Sequence, residues 1–173
     1  MQWVFIACVI VLTALVAIVA AFSLRESYRL TLVRAESAAE RVRTLTQKHI
    51  DIYEKTYALI FFFGGELSSD IDKKEFSISD ETRMADLPAI NKDVDLSLSD
   101  ICQKIESCES LIKERGASFK KTVAEIEALE RDLIAETASF NKYASRARLL
   151  ISVRPFKRLL KDIGKCPYKP INV

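Results

Sequence analysis

The 173-residue chain is poor in the residues that most often mark chemistry or cross-linking: one His, one Trp, four Cys, four Pro and four Gly. So few prolines and glycines exclude a collagen-like or Pro-rich chain. Four cysteines argue against a disulfide scaffold. A formal net charge of +2 argues against a dedicated nucleic-acid binder. The sequence has no phosphate-cradling glycine loop, no nucleophile elbow and no His-Glu-x-x-His pair. What is locally absent is more telling. No charged side chain occurs before Arg25, although charged residues make up 29% of the whole.

The uncharged stretch is WVFIACVIVLTALVAIVAAFSL, Trp3 to Leu24. At 1.5 Å per residue it spans about 33 Å, enough for a hydrocarbon core of about 30 Å. Trp3 suits an interfacial anchor. A cleaved signal peptide is disfavoured, because no Lys or Arg precedes the run and it exceeds a 7–15-residue apolar core. The expectation is a retained transmembrane helix over residues 1–24. Arg25, Arg29, Arg34, Arg41 and Arg43 all follow the run. By the positive-inside rule the body is cytoplasmic and the N-terminus outside.

Beyond the run, small or apolar residues recur every three or four positions: Tyr28, Leu32, Ala35, Ala39, Val42, Thr46, His49, Tyr53, Thr56, Ile60 and Phe63. Leu45, Ile52 and Leu59 widen the stripe. This spacing marks the buried face of a long helix, closed by Gly64-Gly65 and continuous with the membrane helix. A second pattern runs through Leu98, Ile101, Ile105, Cys108 and Ile112, then Phe119, Val123, Ile126, Leu133, Phe140, Ala144, Ala147 and Ile151. Gly116 divides it, as a turn or a tolerated helical glycine, and Pro155 limits it. The predicted fold is all-α: a transmembrane helix continuing into an antiparallel bundle of about four helices. The body, 25–154, holds helices over about 25–63, a short one within 66–90, then 96–115 and 117–154. Pro88 and Asn91 to Asp95 read as loop. Residues 155–173 form a basic tail.

The stretch Glu130-Arg-Asp-Leu-Ile-Ala-Glu-Thr-Ala-Ser-Phe-Asn141 resembles the last long helix of the LemA family. That family places an aromatic-Asn pair about ten residues after an acidic one. Here the pair is Phe140-Asn141, followed by Pro155, Gly164 and Pro167-Tyr168 in the family's order. The similarity covers about a quarter of the chain, over residues 130–168. The proline of the family's first helix is missing from Tyr53-Glu-Lys-Thr-Tyr-Ala-Leu-Ile60, and its second aromatic-Asn pair is Ala147-Arg148 here. The resemblance implies a bacterial, membrane-anchored helical bundle without established catalytic residues.

Catalytic, cofactor-binding and metal-binding residues are not expected. His49 lies in the buried row, and positions 45, 46, 52 and 53 offer it no ligand partner on its own helix. Cys102 and Cys108 are about 120° apart around a helix and do not form a local chelating pair. The sharpest lead is the tail. Lys142 to Lys169 carries nine basic residues and a single acid, Asp162. Within it Phe156, Leu159, Leu160 and Ile163 share one helical face, with Arg154 at its start and Lys157, Arg158 and Lys161 on the other side. Such a helix lies on anionic lipid or, alternatively, caps the bundle with its apolar face. The expected protein is a non-enzymatic, single-pass inner-membrane scaffold or interaction module. Its partners are the bilayer and other membrane proteins or itself, not nucleic acid, and it needs no cofactor. The alternatives are an accessory subunit of a signalling or transport complex, and a small enzyme whose site only the fold assembles.

Overall fold

The computed structural model describes residues 2–63, 71–79, 81–152, 160 and 166–171, the side chains of 63, 109–111 and 114 excepted. Among the described residues the fold is helical, with no strand: α1 (Gln2–Phe63), α2 (Leu87–Ser107) and α3 (Glu109–Ser152). The chain forms two compact units, Met1–Ser37 with Phe140–Pro170, and Ala38–Ser139 with Ile171–Val173.

The buried row of α1 follows the expected period. Tyr28, Ala35, Ala39, Val42, Thr46, His49, Tyr53, Thr56 and Ile60 are all buried. Its threonines are tolerated because each hydroxyl bonds back one turn: Thr46 Oγ1 donates to the Val42 carbonyl at 3.0 Å, and Thr56 Oγ1 to that of Ile52 at 2.8 Å.

In the first unit, Tyr28, Ala147 and Leu160 form a small core, with Leu32, Leu150, Ile151 and Cys166 packed against it. Phe140 meets Tyr168 edge-on at 5.8 Å between ring centroids. In the second unit the core joins Ile50, Tyr53 and Ile60 of α1 to Val94, Leu98, Ile101 and Ile105 of α2 and to Phe119 of α3. A neighbouring cluster holds Val42, Leu87, Leu129 and Leu133.

Three features of this unit differ from the sequence-based expectation. First, three helices are described rather than about four. Before α2, the Thr82 N–H donates to the Ser79 carbonyl and the Asp86 N–H to that of Arg83, both at 3.0 Å, and residues 84–86 make a turn. The helix then begins at Leu87, with Pro88 in its first positions, where its missing N–H costs nothing. Asn91 to Asp95 is therefore helical, not loop. Second, the helices are not all antiparallel. Thr46 pairs with Asn91 and His49 with Asp95, so α1 and α2 advance in the same direction. The connecting segment returns along α1. Arg43 donates to the Thr82 carbonyl at 2.8 Å, and Tyr53 Oη accepts the Lys74 N–H at 2.9 Å. Only α3 runs back, with Arg41 and Glu136 3.2 Å apart.

Third, the break falls at Cys108, whose backbone is extended (φ −101°, ψ 93°), and α3 passes straight through Gly116. A Cβ at Gly116 would meet only Ile112 Cγ2, at 3.6 Å, an ordinary contact. Gly116→Ala is therefore expected to stabilise the chain by about 1 kcal/mol, the helix-propensity difference. A rise in the thermal midpoint of the full chain checks this. A fall would mean the glycine is needed for its shape.

Burial pushes the Tyr53 phenol above its ordinary value of 10.0, against the opposing pull of the Lys74 N–H. The Cys102 thiol is pushed up from 9.0 by burial and by Glu106. Both groups lose their proton more easily in the unfolded chain. Their contribution to stability is complete below about pH 9 and is lost progressively as the pH rises through 10 and beyond. Denaturant melts between pH 8 and 11 should show this decline. Tyr53→Phe should flatten it while costing about 1 kcal/mol at neutral pH through the lost Lys74 bond.

Candidate functional site

Two places in the molecule carry polar or apolar groups that the core does not account for. One is a buried hydrogen-bond network between α1 and α2, beside a cleft. The other is the uncharged start of α1.

The network grows outward from the backbone. Thr46 has one hydroxyl hydrogen, and the Val42 carbonyl takes it. Thr46 Oγ1 must therefore accept from Asn91 Nδ2, 3.0 Å away. That orients the Asn91 amide so that its Oδ1 faces His49 Nδ1 at 3.3 Å, and Nδ1 is the donor. The other ring nitrogen, Nε2, lies 3.0 Å from Asp95 Oδ1, but among the described residues neither atom makes an aligned hydrogen bond, with the other or elsewhere. His49 and Thr46 are fully buried, whereas the Asp95 side chain is 44% exposed. Because Oδ1 is buried, that exposure belongs to Oδ2 and Cβ. His49 therefore does not meet solvent itself. Its ring backs the inner oxygen of a carboxylate that does.

Asp95 and Asn91 form part of the wall of a cleft of about 610 Å³. Its lining is mostly apolar: Val42 from α1, Leu87 and Pro88 from α2, Leu133 and Ile134 from α3, and Ile171 near the chain end. Lys92, Glu130 and Thr137 complete the polar part. The size and composition match sites for small organic molecules, which are mainly apolar with a few placed polar groups. Among the described residues no group of three or more His, Cys, Asp or Glu is arranged to hold a metal ion.

The sequence placed His49 in the core but missed its partners, because they come from another helix. A usable signal was present. Extending the apolar row backward from Leu98 by four, three and four residues gives Val94, Asn91 and Leu87. Asn91 then appears as a polar interruption of a buried row, as His49 does in α1. Asp95 lies one turn after Asn91 on the same face.

The start of α1 is apolar and, in this structure, uncovered. Its most apolar 18-residue window has a mean hydropathy of 3.1 and none of it is buried. Trp3, Phe5, Val16 and Phe22 are 84%, 72%, 63% and 72% exposed. This segment is long and apolar enough to cross a membrane. It is followed by Arg34, whose guanidinium lies 6.0 Å from the Tyr143 ring centroid.

Of the tail residues expected at a lipid surface, Arg154, Phe156, Lys157, Arg158, Leu159, Lys161 and Ile163 lie outside the described residues. Leu160 is described, and it is 2% exposed in the cluster with Tyr28 and Ala147. Its side chain packs in the small core of the first unit with Tyr28 and Ala147. Of the motif residues, Phe140 is fully buried against Tyr168, Pro167 is exposed, and Pro155 and Gly164 lie outside the described residues. No protein-family model matches the chain, and no curated protein or solved structure does.

Proposed function

We propose that the chain is a single-pass membrane protein of LemA type, whose helical body serves as a scaffold or interaction module on the cytoplasmic face of a bacterial inner membrane. The observation that carries this reading is the pairing of opposites along α1. Residues 3–24 hold no charge and bury nothing, while the row from Tyr28 onward is buried in a core of its own. Apolar surface on that scale is unfavourable in water at about 25 cal/mol per Å², and a bilayer removes it without any partner chain. The five arginines that follow the run support this orientation through the positive-inside rule. Other membrane proteins, or further copies of the chain, are the partners this reading implies.

The basic tail belongs beside the cytoplasmic leaflet in the same reading. Leu160 shares a buried cluster with Tyr28, which follows the end of the apolar run by four residues. Lysines and arginines of the tail would then lie near anionic lipid, where each contributes about 1 kcal/mol.

Membrane fractionation with alkaline carbonate extraction tests the anchor, and a compartment-sensitive reporter fused after Val173 tests the orientation. The full chain is expected in the extracted pellet, with the reporter active only on the cytoplasmic side. A chain released by carbonate removes the anchor, and periplasmic reporter activity reverses the topology. In nanodiscs, trypsin is expected to cut within Lys157 to Lys165 several-fold more slowly with anionic than with zwitterionic lipid. Equal rates would remove the tail from the membrane surface.

A further inference from the structure

The cleft beside His49 has no role in the anchored-scaffold reading, yet its polar groups are organised. Asp95 Oδ1 is buried against His49 Nε2, whose ring is held in turn by Asn91 and Thr46. Three side chains, His49, Asn91 and Thr46, thus stand behind one carboxylate, whose other oxygen is the exposed one. Glu130 supplies a second carboxylate from α3, and Lys92 is the only lining cation among the described residues. Neither Glu130 nor Lys92 makes an ion pair within 4 Å among the described residues. The rest of the lining is mainly aliphatic.

From this arrangement we infer that the cleft is a binding site for a small organic cation, an amine or ammonium group carried on an apolar body. The body takes the place of water against Val42, Leu87, Leu133 and Ile134. The ammonium donates to the outer oxygen of Asp95, with Glu130 of α3 in the same lining adding favourable charge. A carboxylate ligand in the same pose would face both acids. Lys92 opposes the cation, but it is exposed and its four-carbon stem lets the charge turn into water. Because Oδ1 is buried against the His49 ring, Oδ2 is the oxygen left to accept from the ligand.

The test uses the full chain in nanodiscs of zwitterionic lipid, with methyl NMR of Val42, Leu133 and Ile134 as the readout. Phenethylammonium is titrated against 3-phenylpropionate, a probe of similar shape and opposite charge. Phenethylammonium is expected to saturate these methyl shifts and to bind about tenfold or more tightly than phenylpropionate. Asp95→Asn should weaken it by about tenfold. Glu130→Gln, at an exposed residue outside the buried network, should weaken it by a few-fold and keeps the test valid if Asp95→Asn unfolds. Lys92→Ala should tighten it by about twofold. Equal binding of the two probes, shifts confined to methyls outside the cleft, or a Glu130→Gln and Lys92→Ala pair that both leave affinity unchanged would overturn the assignment.

Discussion

Phe140→Ala is expected to destabilise the full chain by about 3–5 kcal/mol, the usual cost of removing a buried aromatic ring. For a chain of this size that corresponds to a fall of about 10 °C in the thermal midpoint followed by circular dichroism at 222 nm. Several observations place the value at the upper end of what a point substitution does. The ring is fully buried, with Ala144 and Ala147 buried one and two turns further along α3. These small residues cannot move into a space the size of a phenyl ring, so the cavity persists. Tyr168 stands edge-on to it at 5.8 Å, and this contact draws the segment after α3 back onto the helix. Tyr168→Leu keeps an apolar group there and loses the edge-on ring contact, worth about 1 kcal/mol. A Phe140→Ala effect below about 1 kcal/mol would show that this contact does not hold the segment.

The same pair shows what was legible in the sequence. The three-and-four spacing located Phe140 on a buried face, and the row in α1 was correct from Tyr28 to Ile60 because a long helix with one covered side repeats its constraint at every turn. The fold class followed from that. Helix limits were less legible. Gly116 reads as a break because glycine weakens helices, but a penalty of about 1 kcal/mol is small beside the packing of Phe119 into the core. The actual interruption, Cys108, carries neither glycine nor proline in its vicinity to mark it. The parallel course of α1 and α2 was not legible either. It depends on the connecting segment returning along α1, and the bonds that hold it, from Arg43 to the Thr82 carbonyl and from the Lys74 N–H to Tyr53, link residues 39 and 21 positions apart. Short-range periodicity carries no information at that separation.

His49→Leu carries the other large effect, a loss of about 3 kcal/mol, although leucine fills a comparable volume. The loss comes from what the imidazole leaves behind. Asn91 Oδ1 no longer has its donor, and the amide is still tied through Nδ2 to Thr46 in a buried place. A buried polar group stripped of its partner costs about 1–3 kcal/mol. Asp95 Oδ1 loses the ring that lies 3.0 Å from it, though the exposed remainder of the carboxylate lets water recover part of that loss. Two halves of one network should not behave additively. Asn91→Leu alone leaves Thr46 Oγ1 without its donor and His49 Nδ1 without its acceptor, so it also costs about 2 kcal/mol. The double variant replaces facing polar groups by facing apolar ones and should cost less than the sum of the singles by about 1–2 kcal/mol. Chemical denaturation of the four proteins completes the cycle. Additivity within about 0.5 kcal/mol would mean that the two side chains do not act as a unit. In that event the run of hydrogen bonds from the Val42 carbonyl through Thr46 and Asn91 to His49 would be broken at its middle link.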